Sequence, residues 1–390
     1  MLFLGLFVFF VLLQWLHLLF LRDLLPERTH RYLPWILVLV HLPLFMYMGL
    51  RFTGLAVQGL GPWFQPLARA GLYFQALSVL NVLFGYLEEG VYRLLHRHRP
   101  EAGPEQPGRR TFLQGASTAG LGAVAIGAGF GWAQANGEPQ VLRHELAWPA
   151  LPEGLDGLRI VQISDLHAGP LASLERLKRW RGLAQRERPE LLLVTGDFVD
   201  SLPEEVADFR EAFRDFPAPL GRYAILGNHD YFTDPRPIWE ELEGLGFHCL
   251  ENAHAVVNRQ GGDLALLGLQ DQQAPNGRFR GVRFGPGPRP DLTLQGLKSG
   301  PFRIALVHRP GLWAPALGMG AHLTLAGHTH GGQVNLVPGL NVARLLGPYT
   351  EGLYEENGRR LYVNRGLGVV GVPMRVAAPP EITVITLRRS

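Results

Sequence analysis

Five short apolar runs in the C-terminal part of the chain stop abruptly in acids, amides or histidines, and this repetition constrains the fold more than any bulk property. Arg159-Ile160-Val161-Gln162-Ile163 leads into Ser164-Asp165-Leu166-His167, and Leu191 to Thr195 into Gly196-Asp197-Phe198-Val199-Asp200. Tyr223 to Leu226 leads into Gly227-Asn228-His229-Asp230, Ile304 to Val307 into His308, and His322 to Ala326 into Gly327-His328-Thr329-His330-Gly331-Gly332-Gln333. Runs of this length bounded by turn residues read as buried strands. Helices are expected between them: Ser173 caps one that runs through Arg188, and Glu204 to Phe216 forms another with Val206, Phe209 and Phe213 on one face. Later, Ala255 to Arg259 and Asp263 to Leu269 flank Gln260-Gly261-Gly262 as a hairpin, and Arg360 to Val363 and Ile382 to Leu387 close the chain as strands. Strand–helix units followed by antiparallel pairs predict an α/β domain of two stacked sheets with outer helices. In such sheets, loop residues of several strands converge where the strands end.

Asp165, His167, Asp197, Asn228, His308, His328 and His330 are seven oxygen or imidazole donors, all placed directly after strands. Two divalent ions sharing one carboxylate need about this number and mix of ligands, with positions left for water and substrate. Mn, Fe, Zn or a mixture suits such a set. The single cysteine, Cys249, excludes a disulfide framework and Cys-based metal clusters.

The N-terminal part has another texture. Segments 2–21, 33–50 and 67–87 are long and apolar enough to span a bilayer. His41, Pro43, Gln75, Ser78 and Asn81 are their isolated polar or bending positions, expected to serve packing between helices. Segment 111–133 is built of Gly, Ala, Ser and Thr around few large apolar residues. It follows Arg109-Arg110-Thr111-Phe112-Leu113-Gln114 and ends at Ala133-Gln134-Ala135, which resembles a twin-arginine export signal with an A-x-A cleavage site. An ordinary fourth transmembrane helix is the alternative. Three arginines lie in 22–32 and five in 93–110, against one in 51–66, so the first two connectors are expected to be cytoplasmic. With four spans, the domain after Ala135 faces the extracytoplasmic side of the cell membrane; with three it is cytoplasmic. The expected organisation is a transmembrane region at 1–135 and a catalytic domain at 136–390. Residues 1–135 carry 10 Arg and 6 acids, and the remainder 27 Arg+Lys and 28 acids. A net charge of −1 on the folded domain argues against a nucleic-acid partner.

The blocks D-x-H, G-D-x-x-D, G-N-H-D, a lone H and G-H-x-H appear complete and in order, and over Leu158 to Leu387 the sequence closely resembles the calcineurin-like metallophosphoesterases. Gly327-His328-Thr329-His330-Gly331-Gly332-Gln333 and the tail Tyr362-Val363-Asn364-Arg365-Gly366-Leu367-Gly368 before Pro380-Glu381-Ile382 look like the bacterial membrane-associated YkuE/YaeI-type branch. The resemblance implies a four-layer αββα sandwich with a dinuclear site. Carried over by motif, one ion would take Asp165, His167, Asp197 and His330, and the other Asp197, Asn228, His308 and His328. A hydroxide activated between them would attack phosphorus in line. His229 would then protonate the leaving oxygen, with Asp200 holding its other ring nitrogen and Asp230 structural.

One departure narrows the substrate. Protein Ser/Thr phosphatases of this superfamily carry an arginine after the last aspartate of G-D-x-x-D, and this chain has Ser201, which disfavours a protein phosphatase. Arg278, Arg280, Arg283 and Arg289 are expected to be solvated loop charge, with a grip on a second phosphate or an anionic lipid head group as the alternative. The helix from Leu174, with Arg176, Lys178, Arg179, Arg181, Arg186 and Arg188 beside Trp180, is expected to be a solvated outer helix, with the membrane surface as the alternative. The expected function is a membrane-anchored hydrolase of a phosphodiester or pyrophosphate bond in a lipid or envelope-linked substrate. The competing readings are a cytoplasmic-face pyrophosphohydrolase of the UDP-diacylglucosamine type and a non-catalytic membrane scaffold on the same fold.

Overall fold

The structure is a computed structural model. It describes residues 129–390 apart from 170, 275–276, 280–281, 285–286, 336–340, 346 and 372, together with 30–32, 34, 35, 38, 42, 126 and 127. The chain divides into two units, Met1–Phe130 and Gly131–Ser390. Among the described residues no helix is long and apolar enough to cross a membrane. The expected spans at 2–21 and 67–87, and most of those at 33–50 and 111–133, lie outside the described residues; of the last, 129–133 are helical and the helix runs on to 136.

The second unit is built on two six-stranded sheets. The first contains β1 (Gln140–Trp148), β2 (Arg159–Ile163), β3 (Leu191–Thr195), β4 (Arg222–Ile225), β5 (Phe247–Cys249) and β14 (Glu381–Arg389), in the order β1-β14-β2-β3-β4-β5. β2 to β5 are parallel, and β14 runs antiparallel to β2 and parallel to β1. The second contains β6 (Ala253–Arg259), β7 (Gly262–Gly268), β10 (Phe302–Leu306), β11 (Leu323–Ala326), β12 (Gly352–Glu356) and β13 (Arg359–Val363), in the order β12-β13-β11-β10-β7-β6. Its four inner strands are parallel and its two edges antiparallel. β8 (Gly277–Phe279) and β9 (Val282–Phe284) form a separate hairpin.

Side-chain alternation along these strands builds three cores. Leu191 and Leu193 of β3 pack between the sheets with Leu264 and Leu266 of β7 and Ile304 and Leu306 of β10. Leu192 and Val194 face the opposite way, toward α1 (Leu174–Arg186), α2 (Val206–Phe213) and α4 (Pro235–Gly244), where Leu177, Trp180, Phe209, Phe213 and Trp239 cover them. Ala265, Leu267 and Ala305 face the outer side of the second sheet and meet Trp313 and Ala316 of α6 (Trp313–Gly318), which α5 (Pro290–Leu294) precedes in the chain. The result is helix, sheet, sheet, helix. Strands covered on both faces are nearly continuous apolar runs, as Leu191 to Val194 is before Thr195 ends the strand.

Some local expectations shift. The helix expected to reach Arg188 ends at Arg186, because Arg188 adopts a left-handed φ of 49° ahead of Pro189. Ser173 begins α1 through its carbonyl, which accepts the N–H groups of Arg176 and Leu177, and not through its hydroxyl. The helix expected from Glu204 starts as α2 at Val206, since the Glu205 carboxylate turns back to accept the N–H groups of Asp200, Ser201 and Leu202. β1 went unread in the sequence, because its half-exposed pattern of polar and apolar residues does not alternate strictly.

Arg176 corrects the view of α1 as wholly solvated. It is 8% exposed, its Nη2 donates to the carbonyl of Ala135 at 2.6 Å, and its Nη1 donates to Leu171 O at 2.6 Å and Asn136 Oδ1 at 3.1 Å. Ala135, the last residue of the A-x-A sequence, is helical and 1% exposed. Nearby, Gly131 O accepts the N–H of Arg375 at 2.9 Å. The turn at 131–136 is thus fastened into the second unit at both ends.

Candidate metal centre

Every expected donor emerges at a strand end. Asp165 and His167 follow β2, Asp197 follows β3, and Asn228 follows β4 and opens α3 (Asn228–Phe232). His308 follows β10, while His328 and His330 follow β11. β2-β3-β4 and β10-β11 are interior neighbours in their own sheets, so both sheets contribute. Five of the seven, namely Asp165, His167, Asp197, His328 and His330, have φ between 47° and 72°. Left-handed backbone at a non-glycine residue costs on the order of 1–3 kcal/mol each and persists where the surroundings over-determine it. Here it turns each side chain back toward one point.

Glycines make room for that convergence. A side chain at Gly227 would collide with the Asp197 carboxylate, and one at Gly366 would come within 2.7 Å of Asp165 Cβ. Gly366 belongs to the loop behind Asp165, where Leu367 N–H donates to Ser164 O and Gly368 N–H to Asp165 O. Here the tail that resembled the YkuE/YaeI branch meets the site.

Among the described residues, three groups have ligand atoms that all lie within 4.8 Å of one another: Asp165–His167–His330, His167–Asp197–His229 and Asp197–His308–His328. His167 Nε2 faces His330 Nε2 at 3.2 Å, and His330 Nε2 is 3.5 Å from Asp165 Oδ1. Asp197 Oδ2 reaches both sides, 3.6 Å from His167 Nε2 and 3.2 Å from His308 Nε2. His308 Nε2 also lies 3.1 Å from Asn228 Oδ1 and 3.2 Å from His328 Nδ1. The other nitrogen of His308 sits 2.8 Å from the Thr195 carbonyl, an acceptor, which places a proton there and leaves Nε2 turned to the cluster side. Imidazole nitrogens and carboxylate oxygens thus converge on one another from both sheets, the arrangement that shared divalent cations would occupy. The oxygen and imidazole set fits two such ions.

The electrostatics follow from burial and crowding. Burial, then the charge of His167 and of Arg375, holds His330 well below the ordinary histidine range. Burial also lowers His167 to about 4 and, with His308 and Arg309, His328 to about 3. These rings are neutral and offer lone pairs at neutral pH. Burial raises Asp165 to about 6, with His308 opposing it. Burial works against charge on His308 as well, yet the nearby Asp197 carboxylate outweighs it and lifts that pKa to about 10.

His229 stands beside the cluster, its ring edge-on to His167 with centroids 4.6 Å apart, and its main-chain N–H donates to Asp197 Oδ1 at 2.8 Å. The expected partner of its ring is corrected: Nδ1 lies 2.8 Å from the main-chain oxygen of Asp200, not from its carboxylate. Glu205 curls the 200–202 loop and presents that carbonyl. The Asp200 carboxylate accepts from Ser201 Oγ at 2.6 Å and lies 4.0 Å from His167 Nδ1. Asp230 accepts the N–H groups of Asp197, Phe198, Val199 and Gly227 and so ties the β3 and β4 exits together.

Two cations at the site were missed in the sequence. Arg375 is fully buried; it donates to the carbonyls of Arg365, Gly366, Gly368 and Ala378 and lies 3.2 Å from His330 Nδ1. Arg309 lies 3.1 Å from His328 Nε2. Only the adjacency of Arg309 to His308 signals it; nothing local marks Arg375. Of the Arg278–Arg289 run, Arg289 is engaged by Asp291 at 2.8 Å, and the side chains of the others lie outside the described residues.

Residues 158–332 match the family model for the calcineurin-like phosphoesterases. The metallophosphoesterase YkuE of Bacillus subtilis is 33% identical over 291 residues, covering 72% of this chain and 97% of that one. The chain belongs to the calcineurin-like metallophosphoesterases. A Danio rerio protein named transmembrane protein with metallophosphoesterase domain is 34% identical over 331 residues, covering 82% of this chain and 72% of the relative. An Aquifex aeolicus metallophosphoesterase is 28% identical over 250 residues, covering 64% and 92%. This metallophosphoesterase is therefore a hydrolase of phosphoester bonds with a divalent-metal centre, acting on phosphorylated substrates.

Proposed function

We propose that the chain is a membrane-anchored phosphoesterase that hydrolyses a phosphodiester or pyrophosphate bond of a lipid or envelope-linked substrate. Residues 1–135 form the transmembrane region, and 136–390 the catalytic domain on the extracytoplasmic side. Asp165, His167, Asp197 and His330 would hold one ion, and Asp197, Asn228, His308 and His328 the other, with Asp197 common to both. The observation that carries this reading is Asp197 Oδ2, within 3.6 Å of His167 Nε2 and 3.2 Å of His308 Nε2 and so between the two groups. Support for anchoring comes from the apolar N-terminal segments and from the name of the Danio rerio relative.

When bound, the two ions supply Lewis-acid activation of the phosphoryl group and of its nucleophile. The protein's own groups do the rest. His229 donates an Nδ1–H hydrogen bond to the Asp200 carbonyl, so a proton passed to a leaving oxygen would come from Nε2. The Asp200 carboxylate, 4.0 Å from His167 Nδ1, adds negative charge on the side of that ring away from the donor cluster.

Metal analysis together with a panel of monoesters, diesters and pyrophosphates tests this. Two ions per chain and a preference for diesters or pyrophosphates are expected. Full turnover after the ions are stripped would overturn the reading.

A further inference from the structure

A cation that grips the substrate is the part still to be assigned. Position 201 carries a serine, and its hydroxyl is bonded to Asp200. Arg289 is engaged by Asp291, Arg365 is paired at 2.7 Å with buried Glu381, and Arg375 is surrounded by carbonyls.

Arg309 is placed differently. It directly follows His308 at the exit of β10 and shares that strand's approach to the centre. Its Nε donates to Asp271 Oδ2 at 2.8 Å. Asp271 is fully buried, and its Oδ1 accepts the N–H of Gln273 at 2.8 Å, so the carboxylate is fixed and orients the guanidinium. Nη1 lies 3.1 Å from Nε2 of His328, and 24% of the side chain remains exposed. A guanidinium oriented through Nε by Asp271 and partly exposed keeps further N–H donors suited to the oxygens of a phosphoryl group.

Its position decides which phosphoryl group. His328 turns Nδ1 toward His308 and the donor cluster, 3.2 Å from His308 Nε2, and turns Nε2 away from it. Arg309 stands on that far side. A group it holds extends past the phosphorus under attack, where a simple diester has only an ester substituent and a pyrophosphate has a second charged phosphoryl.

We propose that Arg309, oriented by Asp271, binds the second phosphoryl group of a pyrophosphate-linked substrate. This rests on the phosphoesterase reading above and narrows its substrate class.

The test uses the full-length, metal-loaded protein in detergent. It compares a dialkyl pyrophosphate with the phosphodiester carrying the same alkyl groups, reads the change of their ratio from wild type to variant so that the intrinsic difference between the two leaving groups cancels, and measures calorimetric binding of methylenediphosphonate and orthophosphate. In Arg309→Ala the ratio of kcat/KM for pyrophosphate over diester should fall about tenfold or more, carried by KM, with methylenediphosphonate binding weakened more than orthophosphate binding. Arg309→Lys should recover part of the ratio, and Asp271→Asn should lose part of it. The double variant Arg309→Ala/Asp271→Asn leaves no unpaired buried charge and guards against misfolding, with metal content as the check. An unchanged ratio in the folded variants would overturn the proposal. Should the wild type hydrolyse neither ester, the phosphoesterase reading fails, and loss of methylenediphosphonate binding in Arg309→Ala alone decides the role of Arg309.

Discussion

His167 and His330 turn their Nε2 atoms toward one another at 3.2 Å from loops that leave different sheets. A cation held there would take both ring nitrogens together with the nearby Asp165 carboxylate. Asp197 joins this half of the site to the half around His308, so Asp197→Asn should lose both ions and activity together. Metal content by mass spectrometry, measured alongside turnover, checks this; an Asn variant that keeps two ions would remove Asp197 from the bridging position.

His229→Ala should retain both ions and lose turnover by about 10²–10⁴-fold on a diester with a poor leaving group. With a nitrophenolate the loss should be far smaller, because that anion departs without a proton. Equal losses on the two substrates would exclude His229 as the acid.

Gly366 sits at φ 73°, and a methyl group there would press on Asp165. Gly366→Ala should cost about 1–2 kcal/mol from the left-handed backbone alone and displace the Asp165 carboxylate. The expected signature is a lower melting temperature with fewer than two ions per chain. Wild-type metal content in this variant would show that Asp165 tolerates the shift.

Glu251 is buried behind α3; its carboxylate accepts from the Tyr231 hydroxyl and from Leu226 N–H, but burial dominates and raises it to about 8. A carboxyl raised in the folded state contributes stability fully below its unfolded value of about 4.3 and loses that contribution as pH rises through about 8. The metal-free protein should therefore lose stability from Glu251 across that window, and Glu251→Gln should flatten the fall. Melting curves of both proteins from pH 5 to 9 measure the difference; parallel profiles would mean that Glu251 ionises freely.

For topology, protease added to intact spheroplasts should digest the domain after Ala135. Replacing Arg109 and Arg110 by Lys keeps the charge counted by the positive-inside rule, so export lost in that variant points to a receptor that reads the arginine pair. A domain protected until lysis would place it in the cytoplasm.

Much of the centre could be read from the sequence because its donors sit where strands stop, and strand ends are marked locally by the change from apolar to polar residues. Asp165, His167, Asp197, Asn228, His308, His328 and His330 all follow that rule. The roles of Arg176 and Arg375 could not be read, since an isolated arginine looks solvated until the fold gathers carbonyl oxygens around it. Asp200 was misread for a related reason: its carboxylate is visible in the sequence, but the group that meets His229 is its main-chain oxygen, aimed by Glu205. β1 was lost because a sheet edge shared with β14 does not impose a clean alternation.

The bond after Ala135 lies in a helical turn, its carbonyl held by Arg176, whereas a processing peptidase needs its target as an extended, accessible strand. A domain that folds before it is exported would bring that bond to the peptidase already closed. If the N-terminal segment is an anchor cleaved at that bond, its release would require the 131–136 turn to open first and would be paced by local unfolding in the second unit rather than by the speed of the peptidase.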